Sequence, residues 1–180
     1  SCGKYPYAAI TSDGSLWTWG DNNYGQLGIG ETDENIISEP VKVMENVIDV
    51  SCGSSDITAA VTADGVLWAW GAPVRQLGID SEDLAPVQEP VQVMEDVVNV
   101  ESGPDTMAAI AADGALWMWG INNRGQIGQG DGSPNYYFAP TKVMEDAPLP
   151  QFKRMVRPGP GAIIFTPSWV PGTGFNPLSQ

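Results

Sequence analysis

The chain has 180 residues, 42% of them hydrophobic, with a formal net charge of −14 and no histidine. That length and apolar content suffice for a buried core and exclude a disordered chain; no apolar run is long enough to cross a membrane as a helix, so no membrane insertion is expected. Without histidine the commonest general base, the Ser-His-Asp and Cys-His sets and the commonest metal ligand are excluded, and the acid excess repels phosphate backbones, so no nucleic-acid partner is expected.

In chain order, Ala8–Thr11 and Leu16–Trp19 read as strands on either side of Ser12-Asp13-Gly14-Ser15. Asp-Gly between two such runs predicts a hairpin with a type I′ turn, in which both central residues take positive φ. Side chains alternate along a strand, so Trp17 and Trp19 share one face and Leu16 takes the other. Gly20 is expected to end that strand and begin a tight turn. Gly25-Gln26-Leu27-Gly28 reads as further tight turns, and residues 31–38, like 80–88 and 129–138 later in the chain, as a variable loop expected to carry any recognition. Pro40 is expected to open the strand Val41–Met44, a place where a missing N–H does little harm. Val47–Val50 makes a fourth strand.

The same unit then recurs. Asp64, Gly65, Trp68, Trp70 and Gly71 fill the places of Asp13, Gly14, Trp17, Trp19 and Gly20, and Asp113, Gly114, Trp117, Trp119 and Gly120 fill them again. Met44, Met94 and Met144 keep the same register. Self-similarity of this kind marks a repeat architecture. Four short strands per repeat predict one propeller blade each. The expected fold is therefore all-β: a partial, open β-propeller of three blade-like repeats, about 1–50, 51–100 and 101–147. Residues 148–180 are Pro- and Gly-rich and read as either a degenerate half-repeat or a tail. Within them Phe152–Met155 resembles Val97–Val100, and residues 162–165 resemble Ala108–Ile110. The chain starts at Ser1, inside a repeat, and is read as a segment of a larger protein.

Residues 1–150 hold all 22 acidic residues and five of the eight basic ones, while 151–180 hold Lys153, Arg154 and Arg157 and no acid. The basic tail is expected to pack across an open edge of the acidic body, in its own chain or in a neighbour, because raw strand edges carry unpaired N–H and C=O groups. Closure by pairing two arcs in a homodimer is a further expectation, beside an intact propeller whose other repeats lie outside this segment.

Few residues suggest chemistry. The six paired tryptophans could form a stacking platform, but one aromatic stripe per repeat is more simply packing between blades. Asp13, Asp64 and Asp113 are turn formers. Glu31, Asp33 and Glu34, and the run Ser81-Glu82-Asp83, gather oxygen ligands without the alternate spacing of a calcium loop, so no metal is assigned. Asn22, Asn23, Asn122 and Asn123 are expected to bond within their own turns. Gly25, Gly28, Gly125 and Gly128 follow no strand-to-helix pattern and make no phosphate cradle, so no cofactor is assigned. Cys2 and Cys52 read as small packing residues rather than a disulfide. Trp169 stands outside the repeat and is the candidate exposed aromatic.

DGSLWTWGDNNYGQLGIG, a variable loop, and PVKVMENVIDVSCG together resemble the repeat of the regulator of chromosome condensation family, over about residues 1–147. Repeat two departs from it at Ala72-Pro73-Val74-Arg75. The resemblance implies a β-propeller, usually of seven blades. Functions in the family are diverse. Its namesake exchanges nucleotide on a nuclear small GTPase through an inserted wedge and basic termini, neither of which is visible here. A light-sensing branch uses a Gly-Trp-Arg-His-Thr motif that this chain lacks. The Leu-Trp-x-Trp-Gly form looks more like bacterial, often cell-surface, repeat proteins; the compartment itself is not legible. The expected function is a non-catalytic interaction or scaffold module with an unidentified protein partner. The alternatives are an exchange-factor-like regulator of a small GTPase and an enzyme.

Overall fold

The computed structural model describes residues 6–53, 56–72, 76–79, 85–130 and 133–145. Cys2, Pro73–Arg75, Ser81-Glu82-Asp83, Trp169 and the tail expectations for 148–180 lie outside the described residues. Among the described residues, eleven strands form three antiparallel sheets. Blade one contains β1 (Pro6–Ile10), β2 (Leu16–Asn22) and β3 (Asp33–Met44). Blade two contains β4 (Val47–Cys52), β5 (Ile57–Thr62), β6 (Leu67–Gly71) and β7 (Val87–Met94). Blade three contains β8 (Val97–Ser102), β9 (Thr106–Ala111), β10 (Leu116–Ile121) and β11 (Tyr136–Met144). The arc is all-β and open, a partial propeller. Sheets and sequence repeats are out of phase by one strand: Val47–Cys52, at the end of the first repeat, pairs with Ile57–Thr62 in blade two.

The hairpin turn differs from the type I′ expectation. Thr11 and Ser15 close a three-residue loop, with Thr11 N donating to Ser15 O and Gly14 N to Thr11 O, both at 2.9 Å. Only Gly14 has positive φ, +81°. Asp13 stays right-handed because its carboxylate accepts the Thr11 hydroxyl at 2.6 Å and the Ser15 N–H at 3.1 Å. This is a type I turn followed by a glycine bulge. Thr62–Val66 and Ala111–Ala115 repeat it.

Three other local expectations are corrected. Gly20 lies inside β2 at φ +112° instead of ending it. Gly120 likewise lies inside β10, whereas Gly71 is the last residue of β6; a Cβ on either would run into a main-chain carbonyl oxygen, that of Asp105 or Asp56. Residues 33–38 are not loop but the start of the 12-residue strand β3. Pro40 therefore sits within an edge strand, where the β2–β3 register slips between Thr18 and Gly20, a tolerated place for a residue with no N–H.

The core lies between blades. Leu16 and Ala8 of blade one pack with Val47, Val50, Ala60 and Trp70 of blade two. Leu67 and Ala69 of blade two pack with Val97, Val100, Met107 and Trp119 of blade three. Each blade thus offers a leucine face forward and a tryptophan face backward. Connectors stitch the hairpins together: Val47 N donates to Gly14 O and Ala63 N to Asn46 O, then Val97 N to Gly65 O and Ala112 N to Asp96 O. Asn46 and Asp96 take φ near +58° to make those corners, as Asn and Asp tolerate.

Candidate functional site

The most elaborate polar geometry lies at the blade junctions. After β2 the chain folds over Asn22, which is fully buried. Its Oδ1 accepts Leu27 N–H at 3.0 Å and its Nδ2 donates to Glu31 O at 2.7 Å. Gly25 N donates to Asn22 O and Gly28 N to Gly25 O. The loop so shaped presents the Gln26 carbonyl to the next blade, where Trp70 Nε1 donates to it at 3.0 Å and Thr58 Oγ1 at 2.7 Å. Gly28 is the contact floor: a Cβ there would lie 2.6 Å from Trp70 Nε1. The same latch recurs once more, with Trp119 Nε1 donating to Gln76 O at 3.0 Å and Gly78 beneath the indole. These glycines are therefore more than turn formers. They let an indole lie on main chain.

A second seam joins the inner strands. Asp49 Oδ2 accepts Asn99 Nδ2 at 2.7 Å and Val100 N–H at 3.0 Å, and Ser51 Oγ accepts Ser102 N–H at 2.9 Å.

The repeated tryptophans fall into two classes. Trp70 and Trp119 are fully buried, while Trp17, Trp19, Trp68 and Trp117 are half-buried. Trp19 stacks on Tyr7 with ring centroids 5.9 Å apart. Trp68 Nε1 donates to Thr62 Oγ1 at 3.3 Å. Ala111 stands at the matching place in blade three, and Trp117 Nε1 is buried there with no partner among the described residues.

The carboxylates of the repeat are engaged in turns. Bonds from the Thr11 side chain and Ser15 main chain hold Asp13 below its ordinary pKa, and the Thr62 side chain does the same for Asp64. Asp113 accepts Ala115 N–H at 2.9 Å. Asp33 accepts Asn35 N–H at 2.8 Å at the start of β3, and Glu31 and Glu34 are exposed. Among the described residues no three carboxylates or cysteines gather at metal-binding distance. Cys52 forms no disulfide there; its sulfur lies 3.9 Å from the Thr58 hydroxyl oxygen. Asn122 holds its loop as Asn22 does, accepting Ile127 N–H at 2.9 Å.

Some positions that differ between repeats are exposed. Ile36 on β3 is 69% exposed and Phe138 on β11 is 45% exposed, the latter stacked on Tyr136 with centroids 4.8 Å apart. Ile36 and Phe138 fall within residues 31–38 and 129–138, which sequence reading took for recognition loops rather than strands; it missed the blade latch. The available signal was the near-constant offset from glutamine to tryptophan, Gln26 to Trp70 and Gln76 to Trp119.

Two sequence models of the Regulator of chromosome condensation (RCC1) repeat match this chain, one over residues 13–61 and 113–155, together just over half of it, and the other over 97–126. The chain is 47% identical over 74 residues to the E3 ubiquitin-protein ligase HERC2 of Homo sapiens, covering 39% of this chain and 2% of that protein. It is 36% identical over 72 residues to the ultraviolet-B receptor UVR8 of Arabidopsis thaliana, covering 39% of this chain and 16% of that protein. Among solved structures it resembles Prp20p from Saccharomyces cerevisiae, a protein that binds Gsp1p and histones. That match has a TM-score of 0.69 at 20% identity, over 81% of this chain and 38% of Prp20p. It also resembles human WBSCR16, with a TM-score of 0.65 at 27% identity, over 78% of this chain and 36% of that one. The chain thus spans well under half the length of each.

Proposed function

Because the chain belongs to the regulator of chromosome condensation (RCC1) repeat family, we propose that it is a non-catalytic protein-interaction module whose outer rim binds a protein partner. The observation that carries this reading is a division of labour. Residues shared by the repeats, such as Asp13, Gln26 and Trp70, are engaged in turns and blade contacts. Ile36 and Phe138, which vary between repeats, are exposed on outer edge strands. A rigid scaffold with variable outer segments suits recognition, and exposed large apolar side chains suit a protein partner. Protein binding by the structurally similar Prp20p supports the same reading. The bacterial cell-surface setting suggested by the repeat form remains part of the proposal.

A partner retained by the wild-type chain and lost by the Ile36→Asp, Phe138→Asp double variant supports this reading, provided both proteins melt alike. Equal retention by both overturns the rim assignment. Similarity to a Gsp1p-binding protein favours a second reading, GTPase regulation. Faster release of fluorescent nucleotide from a small GTPase would establish it.

A further inference from the structure

A second exposed apolar surface lies on the inner strands, where they leave the corners that follow each outer strand. β4 and β8 each begin with a β-bulge at the same place. Val47 pairs with Thr62 and Asp49 with Val61, which leaves Ile48 as the extra residue. Val97 pairs with Ala111 and Asn99 with Ile110, which leaves Val98. A bulge re-aims a side chain, and here it turns two aliphatic ones out of the core. Val47, Val50, Val97 and Val100 are buried, while Ile48 is 55% exposed and Val98 40%. Ile48 belongs to a strand packed between β1 and β8, with a blade on either side, so its exposure is not that of a terminal blade. The bonds from Asn99 and Val100 to Asp49 hold β4 beside β8 and bring the two bulges together.

The turns around this pair are acidic. Ala63 N–H donates to Asn46 O, Val97 N–H to Gly65 O and Ala112 N–H to Asp96 O, so hairpin tips and corners form one surface. Asp64 and Asp113 are exposed at the tips, and Glu95 and Asp96 at the second corner. In blades one and three a lysine, Lys42 or Lys142, bonds the corner glutamate. In blade two Gln92 stands in its place, donating to Glu95 at 2.9 Å. Among the described residues no cation forms a salt bridge with these four carboxylates.

We infer that Ile48 and Val98, ringed by the carboxylates of Asp64, Glu95, Asp96 and Asp113, dock a Lys- and Arg-rich protein segment that carries aliphatic side chains. Charge decides the occupant. Carboxylates without a cation repel a phosphate backbone or an anionic lipid surface and attract ammonium and guanidinium groups. The aliphatic pair gains by leaving water under an apolar side chain. Long cationic side chains serve both needs, since their methylene stems lie on Ile48 and Val98 while their charged heads reach the carboxylates. The surface belongs to inner strands, whereas Ile36 and Phe138 stand on outer ones, so this inference is independent of the rim reading above.

Fluorescence anisotropy of labelled synthetic peptides, titrated with the 180-residue chain, tests it. One peptide combines Lys with Leu; the other has the same charge with Ser in place of Leu. The Ile48→Gln, Val98→Gln variant keeps the charge of the surface. The Glu95→Gln, Asp96→Asn variant keeps the apolar pair, and Asn already takes the left-handed backbone of such a corner at Asn46. All four positions are exposed, and matching thermal melts verify that the variants are folded. The Lys/Leu peptide is expected to bind the wild type, to weaken as salt rises, and to bind either variant roughly tenfold more weakly. The Lys/Ser peptide is expected to bind the wild type more weakly than the Lys/Leu peptide. A rim control, Ile36→Gln with Phe138→Gln, is expected to bind as the wild type does. The inference is overturned by a wild-type chain that binds neither peptide, by equal binding of the two, or by undiminished binding to either variant of the docking surface.

Discussion

The indole N–H of Trp70 donates to the main-chain carbonyl of Gln26, 3.0 Å away and one blade earlier. Trp119 repeats the bond to Gln76 at the next junction. A buried indole must satisfy its donor, and here it does so across the boundary that most needs fixing. The bond therefore sets the registration of neighbouring blades as well as filling space.

Replacing Trp70 by Phe removes the donor and keeps most of the ring, and is expected to cost about 1–2 kcal/mol. Trp70→Ala also opens a cavity and is expected to cost about 3–5 kcal/mol. Trp19→Phe, on a half-buried ring, should stay within about 1 kcal/mol. Urea unfolding at low protein concentration checks the order, which fails if Trp19 and Trp70 are equally sensitive.

Gly28 and Gly125 share the same backbone, φ +74° at each, but not the same surroundings. Gly125→Ala is expected to cost only the left-handed strain, about 1–2 kcal/mol. Gly28→Ala adds displacement of Trp70 and should cost about 1–3 kcal/mol more. Thermal melts of the two variants measure that difference directly.

Asp49 accepts two bonds from blade three, from Asn99 at 2.7 Å and Val100 at 3.0 Å. Asp49→Ala leaves that half-buried main-chain N–H without its partner and is expected to cost about 1.5–3 kcal/mol. Hydrogen exchange should show the amide of Val100 losing protection in this variant. Unchanged protection there would mean that the seam does not hold the inner strands.

Ala111 occupies the place where Thr62 accepts from Trp68. Ala111→Thr offers Trp117 Nε1 an acceptor like the one Thr62 gives Trp68, though Thr11 does not so serve Trp17, and a bond formed there is expected to stabilise the chain by about 0.5–1.5 kcal/mol. A urea midpoint that falls instead would show that the site cannot hold the larger side chain.

The hairpin carboxylates give a pH dependence with a definite sign. Asp13 and Asp64 are held below the ordinary value of 3.8 in the folded chain, by the hydroxyls of Thr11 and Thr62 first. Their contribution is present above pH 3.8 and is lost as pH falls through their folded values. Both are solvent-exposed, so the effect is small. The Asp13→Asn, Asp64→Asn double variant should show a flatter decline of the urea midpoint below pH 4 than the wild type. An identical decline in both would assign acid sensitivity to other carboxylates.

Local chemistry repeated three times made much of this chain legible in advance. Asp-Gly flanked by strand formers announced each hairpin, and the Leu-Trp-x-Trp-Gly pattern announced a β repeat, because side-chain alternation and glycine's backbone freedom act within a few residues. The turn type was not legible, since it depends on which residues close the ladder, here Thr11 with Ser15. Nor was the blade boundary, because a periodic sequence has no natural origin and only pairing puts Val47–Cys52 beside Ile57–Thr62. Trp19 and Trp70 have nearly the same sequence neighbours yet differ in burial. The difference comes from the blade that precedes each of them in space: Trp70 lies under the Gly28 loop of blade one, and burial is decided by what packs on a side chain.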